Sequence, residues 1–145
     1  MVKKIVLAVL FIASSLIAQE LHWAKDYTSA IAEATKQNKP VLLIVSSTQC
    51  KYCLLLDKTT LHDPKVIKAL NSDFIPVRAW INKGEYVPRA IAQNTPGLPG
   101  IWFLFPNGDP MYQPLLGYVK TDNFVQALGI VKQEFDKQKS EKVKK

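Results

Sequence analysis

VLLIVSSTQCKYCLLLDKTT, residues 41–60, reads as a buried strand, a polar loop and a helix that opens on a pair of cysteines. Val41 to Val45 is an unbroken run of β-branched residues and leucine, the pattern of a strand covered on both faces. Ser46 to Gln49 is polar. Cys50 to Thr59 then reads as a helix with Cys50 at its start. Cys50 and Cys53 are the only cysteines in the chain, and Lys51 and Tyr52 stand between them.

That placement carries chemistry. The first turn of a helix has unpaired N–H groups and the positive end of the macrodipole, both of which stabilise an anion. Cys50 is therefore expected to have a lowered pKa and to act as the attacking thiolate. Cys53, one turn further in and more buried, is expected to resolve the mixed disulfide that results. Lys51 adds positive charge beside the thiolate, and Tyr52 offers a flat apolar face with a hydroxyl. A structural zinc site needs four ligands, and beyond the two cysteines only His22 and His62 are available, far apart and unpaired in sequence. No metal and no separate cofactor is expected. A purely structural disulfide across so short a loop removes little entropy from the unfolded chain. The strand, loop and helix context favours the redox reading.

Outward from this core, elements alternate. Tyr27 to Asn38 has helical spacing behind Asp26 as N-cap. Asp63-Pro64 starts another helix, with Asp63 capping and Pro64 at the first position. Phe74 to Ile81 reads as a strand, Tyr86 to Gln93 as a short helix, and Gly100 to Phe105 as a third strand. Pro106-Asn107-Gly108-Asp109 is a hairpin turn leading to a returning strand over Met111 to Leu116. Thr121 to Phe135 closes as an amphipathic helix. Leu21 to Trp23 is a candidate edge strand. Strands joined through helices are expected to run parallel, with only the final pair antiparallel. The fold class is α/β, a central mixed sheet with helices on both faces.

The 145 residues suffice for one domain, and 48% apolar with 21% charged is a globular composition. The chain is divided as 1–18 signal peptide, 19–135 globular domain and 136–145 basic tail. Met1 to Lys4 is basic, Ile5 to Ile17 is apolar, and small residues precede Gln19-Glu20, which is the layout of an export signal. Cleavage is expected after Ala18, with Ser15 as the other candidate. The apolar run is short of the roughly 20 residues that span a bilayer, so a retained anchor is the less favoured alternative. Export places the cysteines where disulfides persist, and the expected location is the periplasm. Net charge is +7, which falls to +5 without Lys3 and Lys4. Much of the excess lies in Lys132 to Lys145, with six lysines against Glu134, Asp136 and Glu141. It is read as a solvated helix end and tail, not a nucleic-acid site.

The stretches Lys39-Pro40-Val41-Leu42-Leu43, Cys50-Lys51-Tyr52-Cys53 and Asp57 to Val66, followed by Gly97-Leu98-Pro99, the strand Ile101 to Phe105, Asn107-Gly108 and Gly117, resemble the thioredoxin superfamily. Within it, they are similar to the C-terminal periplasmic domain of the transmembrane disulfide reductase DsbD and to single-domain exported relatives. The resemblance covers nearly all of the chain after residue 18. It implies the thioredoxin fold, a redox-active Cys50–Cys53 disulfide, and a cis-proline at Pro99 facing the dithiol. Leu98 would then pair its backbone with an extended segment of the partner. It further implies a reductant of protein disulfides, as a monomer, fed by a separate membrane or periplasmic electron donor. Disulfide oxidase or isomerase activity, and a non-catalytic binding module, are the alternatives.

Four departures from thioredoxin bear on the reduction potential. Gln49 stands where thioredoxin has Trp, and Lys51-Tyr52 replaces Gly-Pro. Ile44 occupies the place of a buried acid that helps deprotonate the resolving thiol, and Gly100 follows the proline where Thr is usual. Trp23, Trp80 and Trp102 are expected to pack the core or cover a sheet edge. His62 is expected at the surface. Tyr86-Val87-Pro88-Arg89 is a further candidate for the border of the partner groove.

Overall fold

A computed structural model describes residues 19–144. The expected signal peptide and its cleavage site lie outside them. Helix α1, Tyr27–Gln37, starts at Asp26, whose carboxylate accepts from the Ser29 N–H at 2.7 Å, and ends at Asn38 in the left-handed region with φ 50°. An asparagine tolerates that conformation better than most residues. Strand β1, Val41–Ser46, follows and is buried at all six positions. Helix α2, Lys51–Lys58, begins after Cys50. A single turn at Thr60–His62 leads to α3, Pro64–Asp73, where Asp63 accepts from the Lys65 N–H at 2.8 Å and Pro64 opens the first turn. Then come β2, Ile75–Trp80, a turn at Ile81–Lys83, α4, Arg89–Gln93, β3, Gly100–Leu104, β4, Leu115–Leu116, and α5, Thr121–Val143.

The sheet order is β2-β1-β3-β4, with β1 parallel to β2 and antiparallel to β3. Alternate residues of β1 feed two cores, as a strand covered on both faces requires. Leu42 and Ile44 join Leu56 of α2, Val66 and Leu70 of α3, and Phe124, Leu128 and Val131 of α5. Val41, Leu43 and Val45 join Ala30 and Ala34 of α1 and Ile91 of α4. Helices therefore cover both faces of a mixed sheet.

Several expectations are corrected. Strand β3 runs antiparallel to β1 and does not touch β2. The five residues of α4 rise only about 7.5 Å, too little to carry the chain back along a six-residue strand of about 20 Å. The chain re-enters the sheet at the end where β2 left it. Helix α4 itself starts at Arg89, not Tyr86, because Pro88 holds Val87 out of the helical region and caps the helix in extended geometry. The returning strand Met111 to Leu116 shrinks to Leu115–Leu116 plus a bridge between Leu104 and Pro110. Pro110 and Pro114 have no N–H to give the ladder.

Leu21 to Trp23 forms no strand. Ala24 N–H donates to the Pro76 carbonyl at 2.8 Å, and Pro76 cannot return the bond. The segment is tied instead to α3, through Asn71, which accepts from His22 N–H at 2.9 Å and donates to the Glu20 carbonyl at 2.8 Å. Finally, α5 does not stop at Phe135. Residues 136–143 of the expected tail continue the helix, supported by the i,i+4 pairs Lys132–Asp136 and Glu134–Gln138.

Candidate functional site

The C-terminal ends of β1 and β2 and the start of β3 lie at one end of the sheet, and the cysteine pair sits there. After β1 the chain makes a tight loop. Cys50 N–H donates to the Ser47 carbonyl at 3.1 Å, and Gln49 N–H donates to Ser47 Oγ at 3.2 Å. Asn82, in the turn that follows β2, grips the loop from outside. Its Oδ1 accepts from the Thr48 N–H at 3.0 Å and its Nδ2 donates to Thr48 Oγ1 at 2.5 Å. The loop so held delivers Cys50 to the N-cap position of α2, with φ −95° and ψ 113°.

At that position the sulfur does what a serine oxygen does at an ordinary cap. Cys53 N–H donates to Cys50 Sγ at 3.2 Å. Both cysteines are free thiols. Cys50 is partly exposed, whereas Cys53 is 2% exposed. Burial pushes the Cys53 thiol above its ordinary pKa, and the adjoining Cys50 side chain adds to the rise. Hydrogen bonding from Ser47 and Ser46 opposes it. One thiol can thus reach a partner and the other is withheld behind it. Lys51 is exposed, and so is Tyr52.

Leu98 and Pro99 precede β3, joined by a cis peptide bond. Gly100 pairs with Val45 near the end of β1, and the Pro99 carbonyl accepts from Gly117 N–H at 2.8 Å. The two sheet ends that carry Cys50 and Pro99 are therefore neighbours. A Cβ at Gly100 would meet Thr95 Cγ2 at 2.2 Å. Thr95 cannot easily turn away. Its hydroxyl donates to the Ile91 carbonyl at 2.6 Å and accepts from Trp102 Nε1 at 2.9 Å. Glycine at this position is thus matched to a threonine five residues earlier, a pairing that only the folded loop reveals.

Beneath α2 lies a charged pair that reading the sequence did not single out. The Arg78 guanidinium of β2 hydrogen-bonds Asp57 of α2. It sits 4.2 Å from the centre of the Trp23 ring and 4.8 Å from that of Trp80. The one available signal was the position of Asp57, four residues after Cys53 and hence on the same side of the helix. Nothing in the sequence marked Arg78 as its partner. Of the tryptophans, Trp23 packs against the core on the α2 side and Trp102 is buried. His62 is exposed, with Nδ1 2.6 Å from the Asp57 carbonyl. Tyr86 packs edge-on against Tyr27 at 5.8 Å. Among the described residues, no three His, Cys, Asp or Glu side chains converge as metal ligands, and no helix is long and apolar enough to cross a membrane.

Comparison with known proteins places this geometry. Anterior gradient protein 2 of Xenopus laevis is 32% identical over 81 residues, covering 50% of this chain and 44% of that protein. The chain spans less than half the length of the curated relatives it matches. A thioredoxin from Thermus thermophilus superposes with a TM-score of 0.64 at 25% identity, over 77% of this chain and 87% of that one. The reduced C-terminal domain of DsbD from Neisseria meningitidis superposes with a TM-score of 0.54 at 28% identity, over 70% of this chain and 90% of that one. The thioredoxin-like domain model matches residues 27–132. On that match, which takes in every element from α1 through the core of α5, the chain is a member of the thioredoxin-like domain family.

Proposed function

We propose that this protein is an exported thiol–disulfide oxidoreductase that reduces protein disulfides through Cys50 and Cys53. The observation that carries the proposal is the cap geometry: a partly exposed Cys50 sulfur accepting from the Cys53 N–H, with a buried Cys53 thiol one turn behind. Cys50 attacks one sulfur of a partner disulfide, and the partner's other sulfur leaves as a thiol. Cys53 then attacks Cys50, the partner is released, and a Cys50–Cys53 disulfide remains. Two electrons pass from the dithiol to the partner.

An extended partner segment is accommodated beside Leu98 and Pro99, where the exposed Tyr52 borders the dithiol. Supporting the reductive direction is the resemblance to the C-terminal domain of the disulfide reductase DsbD, which is 28% identical to this chain and matches it in both its oxidised and its reduced form. A separate membrane or periplasmic protein then returns the dithiol to its reduced state.

The test is reduction of insulin disulfides with dithiothreitol as electron source. The protein is expected to accelerate precipitation of the insulin B chain, and Cys50→Ser to abolish the acceleration. A protein that binds partners equally well with and without Cys50, and never accelerates insulin reduction, is a binding module instead.

A further inference from the structure

The hydroxyl of Thr95 lies between two groups that leave its proton one place to go. The buried indole of Trp102 can only donate, and its Nε1 donates to Thr95 Oγ1 at 2.9 Å. The Ile91 carbonyl can only accept, and Thr95 Oγ1 donates to it at 2.6 Å. One side chain thus ties the last turn of α4 to the third residue of β3. The Thr95 methyl fills the place that a side chain at Gly100 would take, and the Gly97 carbonyl lies 3.5 Å from the same point. The start of the loop is therefore pressed against the start of the strand. The far end of the loop is fixed as well. Gly100 pairs with Val45 on one side and Leu116 on the other, and the Pro99 carbonyl accepts from Gly117 N–H.

Only Pro96, Gly97 and Leu98 remain between these two clamps. The Leu98 side chain packs against the core on the α1 side. Among the described residues, no backbone hydrogen bond takes up the N–H or C=O of Gly97 or Leu98. A Cβ at Gly97 would meet nothing within 4 Å. Backbone groups left open in this way can pair with a second chain. Gly97 is also the residue with the most conformational freedom to lose. We infer that Thr95 is a positioning residue for partner recognition: its hydroxyl, held between Ile91 and Trp102, keeps the backbone of Gly97 and Leu98 in the shape with which an extended partner segment pairs. An untethered loop has to be ordered at each encounter, whereas a tethered one is ordered before the partner arrives. The role deepens the oxidoreductase reading above and rests on it.

Thr95→Val keeps the branched shape and the methyl group and removes the hydroxyl. Turnover is followed on a self-quenched extended peptide with an internal disulfide, with dithiothreitol as electron source. Thr95→Val is expected to raise KM about tenfold, the affinity lost when about one residue must be ordered on binding. Its kcat should be little changed, the signature of lost uniform binding. Thr95→Ser, which keeps the hydroxyl, should have the KM of the parent. The Thr95→Val, Trp102→Phe double variant has no orphaned indole N–H, so it should regain stability lost in Thr95→Val and still show the raised KM. Attack of Cys50 on a small aromatic disulfide, dithiobis-nitrobenzoate, needs no docked segment and should proceed at the parent rate in all of them. Amide hydrogen exchange at Gly97 and Leu98 should be faster wherever the hydroxyl is missing.

A folded Thr95→Val protein with the KM of the parent overturns the inference, whatever its melting temperature. So does a double variant whose KM returns to the parent value together with its stability, because the hydroxyl then serves the core alone. Should Thr95→Val not fold, the double variant decides by the same reading. Failure of the oxidoreductase reading looks different: the parent itself leaves the peptide disulfide intact although Gly97 and Leu98 still exchange faster without the hydroxyl, and the recognition role falls with that reading.

Discussion

The backbone N–H of Cys53 donates a 3.2 Å hydrogen bond to the Sγ of Cys50, so the cap of α2 and the candidate nucleophile are the same atom. Reaction at Cys50 therefore changes the helix cap as well as the thiol, and the two cysteines differ sharply in access. The partly exposed sulfur can be attacked or can attack, while the buried one can reach only its neighbour.

Cys53→Ser is accordingly expected to trap mixed disulfides on Cys50. Exchange begins normally but the resolving step is lost. Adducts should accumulate in cells or extracts, be released by reductant, and be absent from the Cys50→Ser, Cys53→Ser double variant. Mass spectrometry of the captured proteins identifies both substrates and electron donor. Adducts on Cys53 of the Cys50→Ser variant, and none on Cys50 of the Cys53→Ser variant, would reverse the two assignments.

The raised pKa of Cys53 links stability to pH in the reduced protein only. The folded state holds the thiol proton more tightly than the unfolded state. Its contribution is therefore unchanged below the ordinary cysteine value of about 8.5 and is lost progressively as pH rises from there through the folded value. Urea unfolding of the reduced protein should show falling stability above about pH 8.5, and the Cys53→Ala variant should lack this component. A reduced protein whose pH profile matches that of Cys53→Ala contradicts it.

Gly100→Ala should destabilise the fold by about 1–3 kcal/mol, the usual range for forcing a methyl group into filled space. The obstructing atom is Thr95 Cγ2, held by two hydrogen bonds. Thr95→Ser removes that methyl and keeps the hydroxyl, so the double variant should regain most of the loss. Thermal or urea unfolding of the four proteins gives the coupling energy directly. Simple additivity of the two changes would mean that the clash lies elsewhere.

Asn82→Ala removes both hydrogen bonds to Thr48. These bonds are solvent-exposed, so the expected cost is about 1 kcal/mol. The larger effect should be kinetic, because the loop that Asn82 holds delivers Cys50 to the head of α2. Insulin reduction should slow several-fold, with Cys50 still alkylated at a normal level in the unfolded protein. Unchanged turnover in a folded variant would show that Ser47 and the β1 strand suffice to hold the loop.

Local features of the chain were legible because their causes are local. Asp26 and Asp63 cap helices through their own carboxylates, the run 41–45 is apolar on both faces, and two cysteines at i and i+3 share the first turn of a helix whatever surrounds them. The places where reading failed share a different cause. The direction of β3 depended on whether α4 was long enough to cross the sheet. The loss of most of the returning strand followed from Pro110 and Pro114 lacking donors at ladder positions. The continuation of α5 past Phe135 came with side-chain pairs between turns, which a hydrophobic stripe does not register.

By itself, then, the sequence determined that a dithiol would stand at a helix start behind a buried strand, since helix caps and strand burial are set by neighbouring residues. Only the tertiary structure decided what surrounds that dithiol. Arg78 reaches Asp57 from 21 positions away, Asn82 reaches Thr48 from 34, and Trp23 closes over the arginine from a segment with no regular structure. Contacts of that kind depend on register between strands and on which helix covers which face, and these are fixed by the packing of the whole core.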